Sequence, residues 1–416
     1  MIFGMGAATL YFVLAALGFA VALATNLQAR RLGPFVAPYF LLAWLAGELA
    51  PHAIAAHVLM TGAFALGGAL YWPLGALGAL LTLASVLLLA RAHWRGARCG
   101  ADVQRMLAEL GLSPRGGISA LHGFPRAFAF RRPNVERIQD IAYGPALPGD
   151  KGRRNLLDVV RPRGAKPGEL RPVLFQIHGG GWMIGDKREQ AQPLMGLMAG
   201  DYGWVCVAVN YRLSPQATFP DHIVDVKRAL AWIRANIADY GGDPSFVCVT
   251  GGSAGGHLAA LTALSANDPR FQPGFEQVDT RVAAAAPFYG VYDFLDRKQI
   301  RGSQSMIPLL AKHVFKKAPG ADPELWDAMS PITRVSESAP PFLVIQGTHD
   351  TLVFVEEARE FVRALREKSR APVAYLELHG AQHAFDVFHS PRCAHAIQAV
   401  AAFLEHVRAN RAAAAA

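Results

Sequence analysis

The first ninety residues constrain the fold of this chain most, because only three of their side chains are charged: Arg30, Arg31 and Glu48. A buried helix of a soluble protein would be shorter and would show a polar face. A secretory signal peptide would need a basic segment before its apolar stretch, and no Lys or Arg precedes Arg30. We therefore predict that this block is a membrane domain.

Three apolar runs divide the block. The first covers residues 2–25, the second about 34–60 and the third about 61–90. The first run carries no charge and is long enough to cross the hydrocarbon core of a bilayer. We therefore predict an α-helical membrane domain over residues 1–98, with about three transmembrane helices.

The arginines set the expected orientation of this domain. Arg30 and Arg31 follow the first run, and Arg91, Arg95 and Arg98 follow the third. With three crossings these clusters fall on one side of the membrane, and the positive-inside rule makes that side cytoplasmic. We predict an integral membrane protein whose N-terminus lies outside and whose catalytic domain lies in the cytoplasm.

Three ionisable residues, Glu48, His52 and His57, lie inside the second run. Such residues point to function unless they satisfy one another. Glu48 and His52 are four positions apart, so a helix would place them on one face. We expect these two side chains to pair, and a proton-relay or transport role is the alternative.

A basic connector is predicted for residues 99–134. The net charge of the chain is +9, and much of the excess comes from Arg91, Arg95, Arg98, Arg105, Arg115, Arg126, Arg131 and Arg132. Such a collar suits anionic lipid head groups, and no aromatic-interleaved stripe predicts binding of nucleic acid. Four scattered cysteines lack metal-ligand spacing, so we predict no metal, no cofactor and a reducing compartment.

From residue 135 onward, short apolar runs alternate with segments of helical periodicity. This alternation predicts an α/β catalytic domain over residues 135–411, built on a doubly wound, mostly parallel sheet. Residues 292–332 break the pattern and are expected to form a helical lid. The expected strands are residues 135–143, 155–160, 173–178, 205–211, 246–251, 282–288, 342–347 and 373–378.

A G-x-S-x-G pattern, formed by Gly251, Ser253 and Gly255, lies between an expected strand and an expected helix. In that context the glycines allow a sharp, strained turn that projects a nucleophilic hydroxyl above the sheet. The pattern alone is a weak signal, but its position after a buried strand makes it specific. Ser253 is therefore the predicted nucleophile.

A second glycine-rich motif follows an earlier strand and reads His178-Gly179-Gly180-Gly181-Trp182. Its glycines let backbone amides approach a ligand and, with the amide of Ala254, would form an oxyanion hole. A phosphate-binding loop is disfavoured because no Lys-Ser/Thr pair follows. We expect His178 to organise the turn rather than to act as a catalyst.

A nucleophilic serine needs a base and an orienting carboxylate, and in this fold the acid precedes the histidine along the chain. Asp350 and His383 each follow a late strand, at the carboxyl edge of the sheet where sites assemble. We predict Ser253, Asp350 and His383 as the catalytic triad. The neighbours that we reject are His349, His379 and Asp386.

Several segments together resemble the hormone-sensitive-lipase-type carboxylesterases, especially the branch with bacterial esterases and prenylcysteine methylesterase-like enzymes. The segments are HGGGW, NYRLSP, the stretch from Phe219 to Pro244, GGSAGGHLAAL, HDTLV and HAF. The likeness covers about residues 135–408. It implies the α/β-hydrolase fold, ester hydrolysis without a metal by the same triad, and Gly180, Gly181 and Ala254 as oxyanion donors.

The sequence thus predicts a membrane-anchored serine carboxylesterase that forms an acyl-enzyme intermediate. Its expected partners are a small-molecule or lipid-like ester and membrane lipids. An arylformamidase or amidase on the same triad is the alternative, and a catalytically silent scaffold is disfavoured because no triad member is missing. Since every expected site residue lies beyond Val173, we expect the membrane block to act only as a tether.

Overall fold

One eight-stranded sheet organises the C-terminal part of the protein. The computed structural model describes residues 2–30, 32–112, 118–150, 152, 154–302 and 305–415, so Arg31 and Arg115 lie outside the described residues. The strands are β1 (Val135–Ala142), β2 (Leu156–Pro162), β3 (Arg171–Ile177), β4 (Val205–Val209), β5 (Gly242–Gly252), β6 (Ala284–Phe288), β7 (Phe342–Gly347) and β8 (Val373–Leu378).

The strand order across the sheet is β1-β2-β4-β3-β5-β6-β7-β8. The pairs β1–β2 and β2–β4 are antiparallel, and every other neighbouring pair is parallel. The predicted mostly parallel α/β sheet is confirmed. Because its later strands all point the same way, the loops that follow them gather at one carboxyl edge.

Helices cover both faces of the sheet and fill the N-terminal block. They are α1 (Ile2–Ala24), α2 (Val36–Glu48), α3 (Ala50–Leu66), α4 (Pro73–Ala97), α5 (Gly100–Glu109), α6 (Gln192–Gly200), α7 (Asp221–Asn236), α8 (Ala254–Leu264), α9 (Ile307–Leu309), α10 (Pro323–Ala328), α11 (Val355–Lys368) and α12 (Pro391–Ala415).

The central strand β3 illustrates how the sheet separates two cores. Phe175 packs among side chains of α7, α8 and α11, whereas Leu174 packs among those of α5, α6 and α12. Successive side chains of a strand point to opposite faces, so a strand buried on both faces reads as a continuous apolar run. This doubly covered arrangement holds the carboxyl edge of the sheet rigid.

The helices α1, α3 and α4 pack side by side in the N-terminal block. The Tyr11 hydroxyl on α1 lies 2.9 Å from the Thr61 hydroxyl on α3 and 3.1 Å from the Thr82 hydroxyl on α4. At the other end, the Asn26 amide donates to the Leu88 oxygen at 3.0 Å. The contacts of α4 advance along the first segment from Tyr11 to Asn26, so α4 runs parallel to α1. Those of α3 run the other way, with Thr61 beside Tyr11 and the earlier His57 beside Gly18, so α3 runs antiparallel to both.

By length and composition, two described helical segments are apolar enough to cross a membrane, Gly4–Ala24 and Pro73–Glu109. The pair α2–α3 would make a third span only if counted together, and it bends by 89°. The predicted boundary at residues 60 and 61 is wrong, because α3 continues to Leu66. No charge marks the true turn, which begins near Gly68 with φ 75°.

The expected pairing of Glu48 with His52 is also wrong. Glu48 ends α2, and Leu49 leaves the helical conformation with φ −104° and ψ 27°, so the two side chains do not share one helix face. The buried Glu48 carboxylate instead accepts hydrogen bonds from the Arg392 guanidinium and, at 2.7 Å, from the Ser390 hydroxyl. A carboxylate of the N-terminal block is thus satisfied by residues beyond β8.

Candidate active site

Ser253 occupies the sharp turn between β5 and α8. Its φ of 58° and ψ of −122° are strained for a residue with a side chain. A Cβ on Gly255 would lie 2.1 Å from the Ile177 oxygen, and one on Gly251 would lie 2.5 Å from the same atom. The two glycines are therefore required because the turn presses against the end of β3.

The loop with Gly179, Gly180 and Gly181 lies beside this turn. A Cβ on Gly179 would be only 3.2 Å from the Cβ of Ser253. Gly180 and Gly181 have φ values of 114° and 60°, a conformation that favours glycine. To the described residues, the backbone amides of Gly180 and Gly181 donate no hydrogen bond, so both can serve a substrate oxygen.

The first residue of this loop, His178, is a structural group. Its imidazole stacks on Tyr211 with ring centroids 4.4 Å apart, and its Nδ1 donates to the Gly179 oxygen at 2.7 Å. Burial lowers the pKa of His178 to about 4, so the ring is neutral at physiological pH. This geometry agrees with the turn-organising role expected for it.

Trp182 fixes the far end of the loop. Its indole donates to Nδ1 of His257 at 3.3 Å, and Nε2 of His257 donates to the Met329 oxygen at 2.7 Å. Burial lowers the pKa of His257 to about 3, which keeps the imidazole neutral and able to accept the indole proton. The glycine loop is thus tied to α8, the helix that begins with Ala254.

Asp350 and His383 come together at the carboxyl edge of β7 and β8. Nδ1 of His383 lies 2.7 Å from Oδ2 of Asp350. The same carboxylate accepts hydrogen bonds from Gln346 at 3.0 Å and from the amides of Leu352 and Val353 at 2.9 and 2.8 Å. A carboxylate held by so many donors is fixed in orientation.

The other ring nitrogen of His383 is free to act. Nε2 is buried and makes no hydrogen bond to any described residue. With the Nδ1 proton donated to Asp350, neutral His383 carries a lone pair on Nε2. The Ser253 hydroxyl does not hydrogen-bond to it in this structure, and such bonds often tighten only when substrate is bound.

Tyr289, which the sequence reasoning missed, lies between the serine turn and His383. Its ring centroid is 4.5 Å from that of His383, and its hydroxyl donates to Asp386. A Cβ on Gly252 would be 2.7 Å from the Tyr289 hydroxyl, which explains why no larger residue precedes Ser253. The only available signal was the position of Tyr289 after β6.

The rejected neighbours lie around the site rather than in it. Asp386 is buried and engaged by Tyr289. His349 faces the N-terminal helices, and burial lowers its pKa to about 4. The His379 ring lies 6.2 Å from that of His349. Within the described chain, none of the three hydrogen-bonds to the His383 side chain.

The N-terminal helices contact the surroundings of the site but supply no triad residue, so the expectation that they act only as a tether stays a prediction. The Phe40 ring on α2 meets the His383 ring edge-on, with centroids 5.9 Å apart. The Trp44 indole donates to the Ala384 oxygen at 2.8 Å and stacks on Phe388 at 5.1 Å. The sequence concealed this because the partners lie more than 300 positions apart.

The segment at 292–332 is built from short helical turns, as expected, but its aromatic residues are core. Phe315 stacks on Trp326 with centroids 3.9 Å apart, and both are buried. Arg301 donates to the Leu352 oxygen at 3.1 Å, beside Asp350. The segment thus supports the acid loop, and its role as a lid stays a prediction.

Only some arginines of the basic collar are free to contact lipid head groups. Arg95 donates to the Thr25 oxygen at 3.1 Å and to Asn26 at 2.9 Å, and Arg30 pairs with Glu356 at 2.6 Å. These two arginines join the helices to one another or to the catalytic domain. The exposed members among the described residues are Arg91, Arg98, Arg105, Arg126 and Arg131.

Comparison with known proteins agrees with this geometry. The sequence model of the BD-FAE family matches residues 157–365, half of the chain, including Ser253 and Asp350. The chain belongs to the BD-FAE family. Its relative LipM of Mycobacterium tuberculosis, named a probable carboxylic ester hydrolase, is 49% identical over 312 residues, covering 75% of this chain and 71% of LipM.

Other relatives of this BD-FAE member are esterases too. LipQ of the same bacterium, named an esterase, is 48% identical over 293 residues, or 70% of this chain and 68% of LipQ. The isoprenylcysteine alpha-carbonyl methylesterase of Arabidopsis thaliana is 26% identical over 219 residues, about half of each chain. The protein is therefore a carboxylic ester hydrolase of the serine hydrolase class, and the amidase alternative is not favoured.

Solved structures give the same fold. The propionate-bound esterase of Thermogutta terrifontis superimposes with a TM-score of 0.53 at 26% identity, covering 66% of this chain and 95% of that esterase. About a third of this BD-FAE protein is not covered by the superposition, which is enough to contain the N-terminal helices. The likeness therefore concerns the α/β-hydrolase part.

Proposed function

We propose that the protein is a membrane-anchored serine carboxylesterase with Ser253 as nucleophile, His383 as base and Asp350 as the orienting acid. The observation that carries this proposal is the Asp350–His383 hydrogen bond of 2.7 Å, which leaves Nε2 of His383 unpaired at the same sheet edge as Ser253. Strained backbone at Ser253 supports the assignment, since such strain concentrates at functional sites.

The reaction proceeds by acyl transfer. Ser253 Oγ attacks the ester carbonyl while Nε2 of His383 takes the hydroxyl proton. The backbone amides of Gly180, Gly181 and Ala254 donate to the carbonyl oxygen as it becomes an oxyanion. His383 then passes its proton to the leaving alcohol, and an acyl-enzyme remains on Ser253.

Deacylation repeats the cycle with water as the attacking group. His383 takes a proton from the water, and the tetrahedral intermediate collapses to release the acid and the Ser253 hydroxyl. Asp350 stabilises the imidazolium in both halves and keeps the Nδ1 proton in place. The protons balance because His383 returns to Ser253 Oγ the proton that it takes from the water.

We further propose that α1, α3 and α4 cross the membrane, with the catalytic domain and the arginine-rich helix ends on the cytoplasmic side. The antiparallel packing of α3 against α1 and the parallel packing of α4 with α1 support three crossings, and the 17 residues of α3 span about 25 Å. The exposed Arg91 and Arg98 support the cytoplasmic side.

The catalytic assignment is tested with full-length protein in detergent and a fluorophosphonate probe, which labels an activated serine. Wild type should be labelled at Ser253, and Ser253→Ala should lose labelling and about a thousandfold or more of its ester hydrolysis. Ser265→Ala, on a hydroxyl bonded within α8, is the matched control and should keep both. Activity that survives in Ser253→Ala would refute the assignment.

A further inference from the structure

We propose that α2 is a membrane-surface helix that forms the alcohol-side wall of the active site, and that the substrate is an ester of a hydrophobic alcohol taken from the bilayer. Phe40 is the specificity-determining residue and Trp44 the positioning residue. The inference rests on the proposed role of His383 as catalytic base.

The orientation of α2 follows from its bend against α3. The two helices meet at 89°, and α3 packs antiparallel to the membrane-crossing helix α1. If α3 runs across the bilayer, α2 lies along its surface. The buried contact of Glu48 with Arg392 holds the end of α2 against the catalytic domain at that surface.

The two faces of α2 differ in what they touch. One face carries Phe40 and Trp44, which contact His383 and its loop. The other face exposes Leu41 and Leu42, and nearly half of each side chain is accessible. An apolar face without a protein partner beside membrane-crossing helices suits the acyl region of a bilayer.

The catalytic edge of the sheet faces the same surface. The Glu48–Arg392 pair joins the N-terminal block to the start of α12, and two contacts join it to the loops that follow β7 and β8: Gln28 to Thr348 at 2.7 Å and Trp44 to Ala384 at 2.8 Å. These are the loops that carry Asp350 and His383. The site is therefore adjacent to lipid rather than at the remote pole of the domain.

The chemistry of the reaction decides which part of the ester meets α2. His383 delivers its proton to the departing alcohol oxygen, so the alcohol lies on the His383 side of the tetrahedral intermediate. Phe40 borders that side, with its ring against the edge of the imidazole. An apolar wall there favours a hydrocarbon alcohol, and the nearby lipid surface supplies one.

The test uses full-length enzyme in lipid nanodiscs and acetate esters of ethanol and dodecanol, with acetate release as the readout. We expect Phe40→Ala to raise the KM for dodecyl acetate about tenfold or more, because an apolar contact with the alcohol is lost. The kcat should stay nearly unchanged. The KM for ethyl acetate should change little. Phe40→Leu should restore most of the long-alcohol preference.

Trp94→Ala is the matched control, since Trp94 is an exposed indole of α4 whose ring lies beside Arg98. It should leave both KM values unchanged. Equal losses on both esters in Phe40→Ala and Phe40→Leu, or a preference that follows acyl length instead, would overturn the proposal. Fluorophosphonate labelling of each variant at Ser253 separates this failure from failure of the catalytic assignment.

Discussion

The carboxylate of Glu48, at the end of α2, accepts a hydrogen bond from the guanidinium of Arg392, at the start of α12, and both side chains are buried. Ser390 donates to the same carboxylate and caps α12 through the Cys393 amide at 3.1 Å. The membrane block and the catalytic domain are therefore joined by an ion pair closed off from water.

Breaking this pair from one side should destabilise the protein strongly. Glu48→Met leaves the Arg392 guanidinium buried without its carboxylate, and such losses cost about 3–5 kcal/mol. The double variant Glu48→Met, Arg392→Met removes both charges and should be more stable than either single variant. Thermal unfolding in detergent measures the three variants in one double-mutant cycle.

The partly exposed Arg30–Glu356 pair provides the control for that cycle. Its side chains are 41% and 34% accessible, so removing it should cost no more than about 1 kcal/mol. Strictly additive effects at Glu48 and Arg392 would contradict a direct pair between them.

Removing the membrane block should impair chemistry as well as anchoring. A chain that starts at Gly100 keeps the Asp350–His383 bond but loses the Trp44 indole that positions the His383 loop through the Ala384 oxygen. We expect such a protein to fold on its intact sheet and to hydrolyse soluble short esters with kcat at least about tenfold below that of the full chain. Fluorophosphonate labelling gives the fraction with a reactive Ser253, and an undiminished kcat would support the tether model.

The strands could be predicted because a strand that is buried on both faces of a sheet has a continuous run of apolar residues in its sequence. The predicted bounds of β7, Phe342–Gly347, and of β8, Val373–Leu378, match the structure. The serine turn and the glycine loop were found for the same reason, since glycines at strand ends mark close backbone approach. Whether they act as proposed is tested only by chemistry.

The failures concern contacts between segments distant in sequence. Nothing local to Glu48 indicates a partner 344 positions away, and an apolar run gives no sign of which residue ends a helix. Tyr289 is one of several aromatic residues near strand ends, so its place against His383 depends on the register of β6 with β7. A local sequence pattern does not show which distant residues the folded chain brings into contact.

The buried Lys227 should give the protein a distinctive response to alkaline pH. Its Nζ donates to the Ser265 oxygen, and among the described residues the other groups within hydrogen-bonding reach are the neutral Gln272 and Thr280 side chains, both at 3.4 Å. Burial lowers the pKa of Lys227 from 10.5 to about 7. Between these values the unfolded chain binds a proton that the folded chain lacks, so stability rises with pH in this window.

This contribution reaches at most about 1.4 kcal/mol for each pH unit. The melting temperatures of wild type and Lys227→Met are compared in detergent at about pH 7 and pH 9. The difference between the two proteins separates the contribution of Lys227 from that of the other titrating groups. Wild type should gain stability relative to the variant at the higher pH. A difference between the two proteins that does not change with pH would show that Lys227 stays charged in the folded state.

The last prediction concerns the orientation of the protein in the membrane. At one end of the helix bundle lie the turn at Gly67 and Gly68 and the start of α1, where Gly4 approaches Trp72. At the other end lie the catalytic domain and the exposed Arg91 and Arg98. Because arginines resist translocation, we expect a C-terminal fusion after Arg411 to be active with a cytoplasmic reporter and silent with an external one.

The charge variant that tests this reasoning avoids the structural arginines. Arg91→Gln with Arg98→Gln removes two exposed charges, and Leu66→Arg with Tyr71→Arg places two at exposed positions beside the opposite turn. Arg30 and Arg95 remain, since Arg30 pairs with Glu356 and Arg95 ties α4 to the end of α1. The four substitutions should weaken the cytoplasmic signal and raise the external one, whereas Arg105→Gln alone should change neither. An external C-terminus in the unmodified protein would rule out a cytoplasmic catalytic domain.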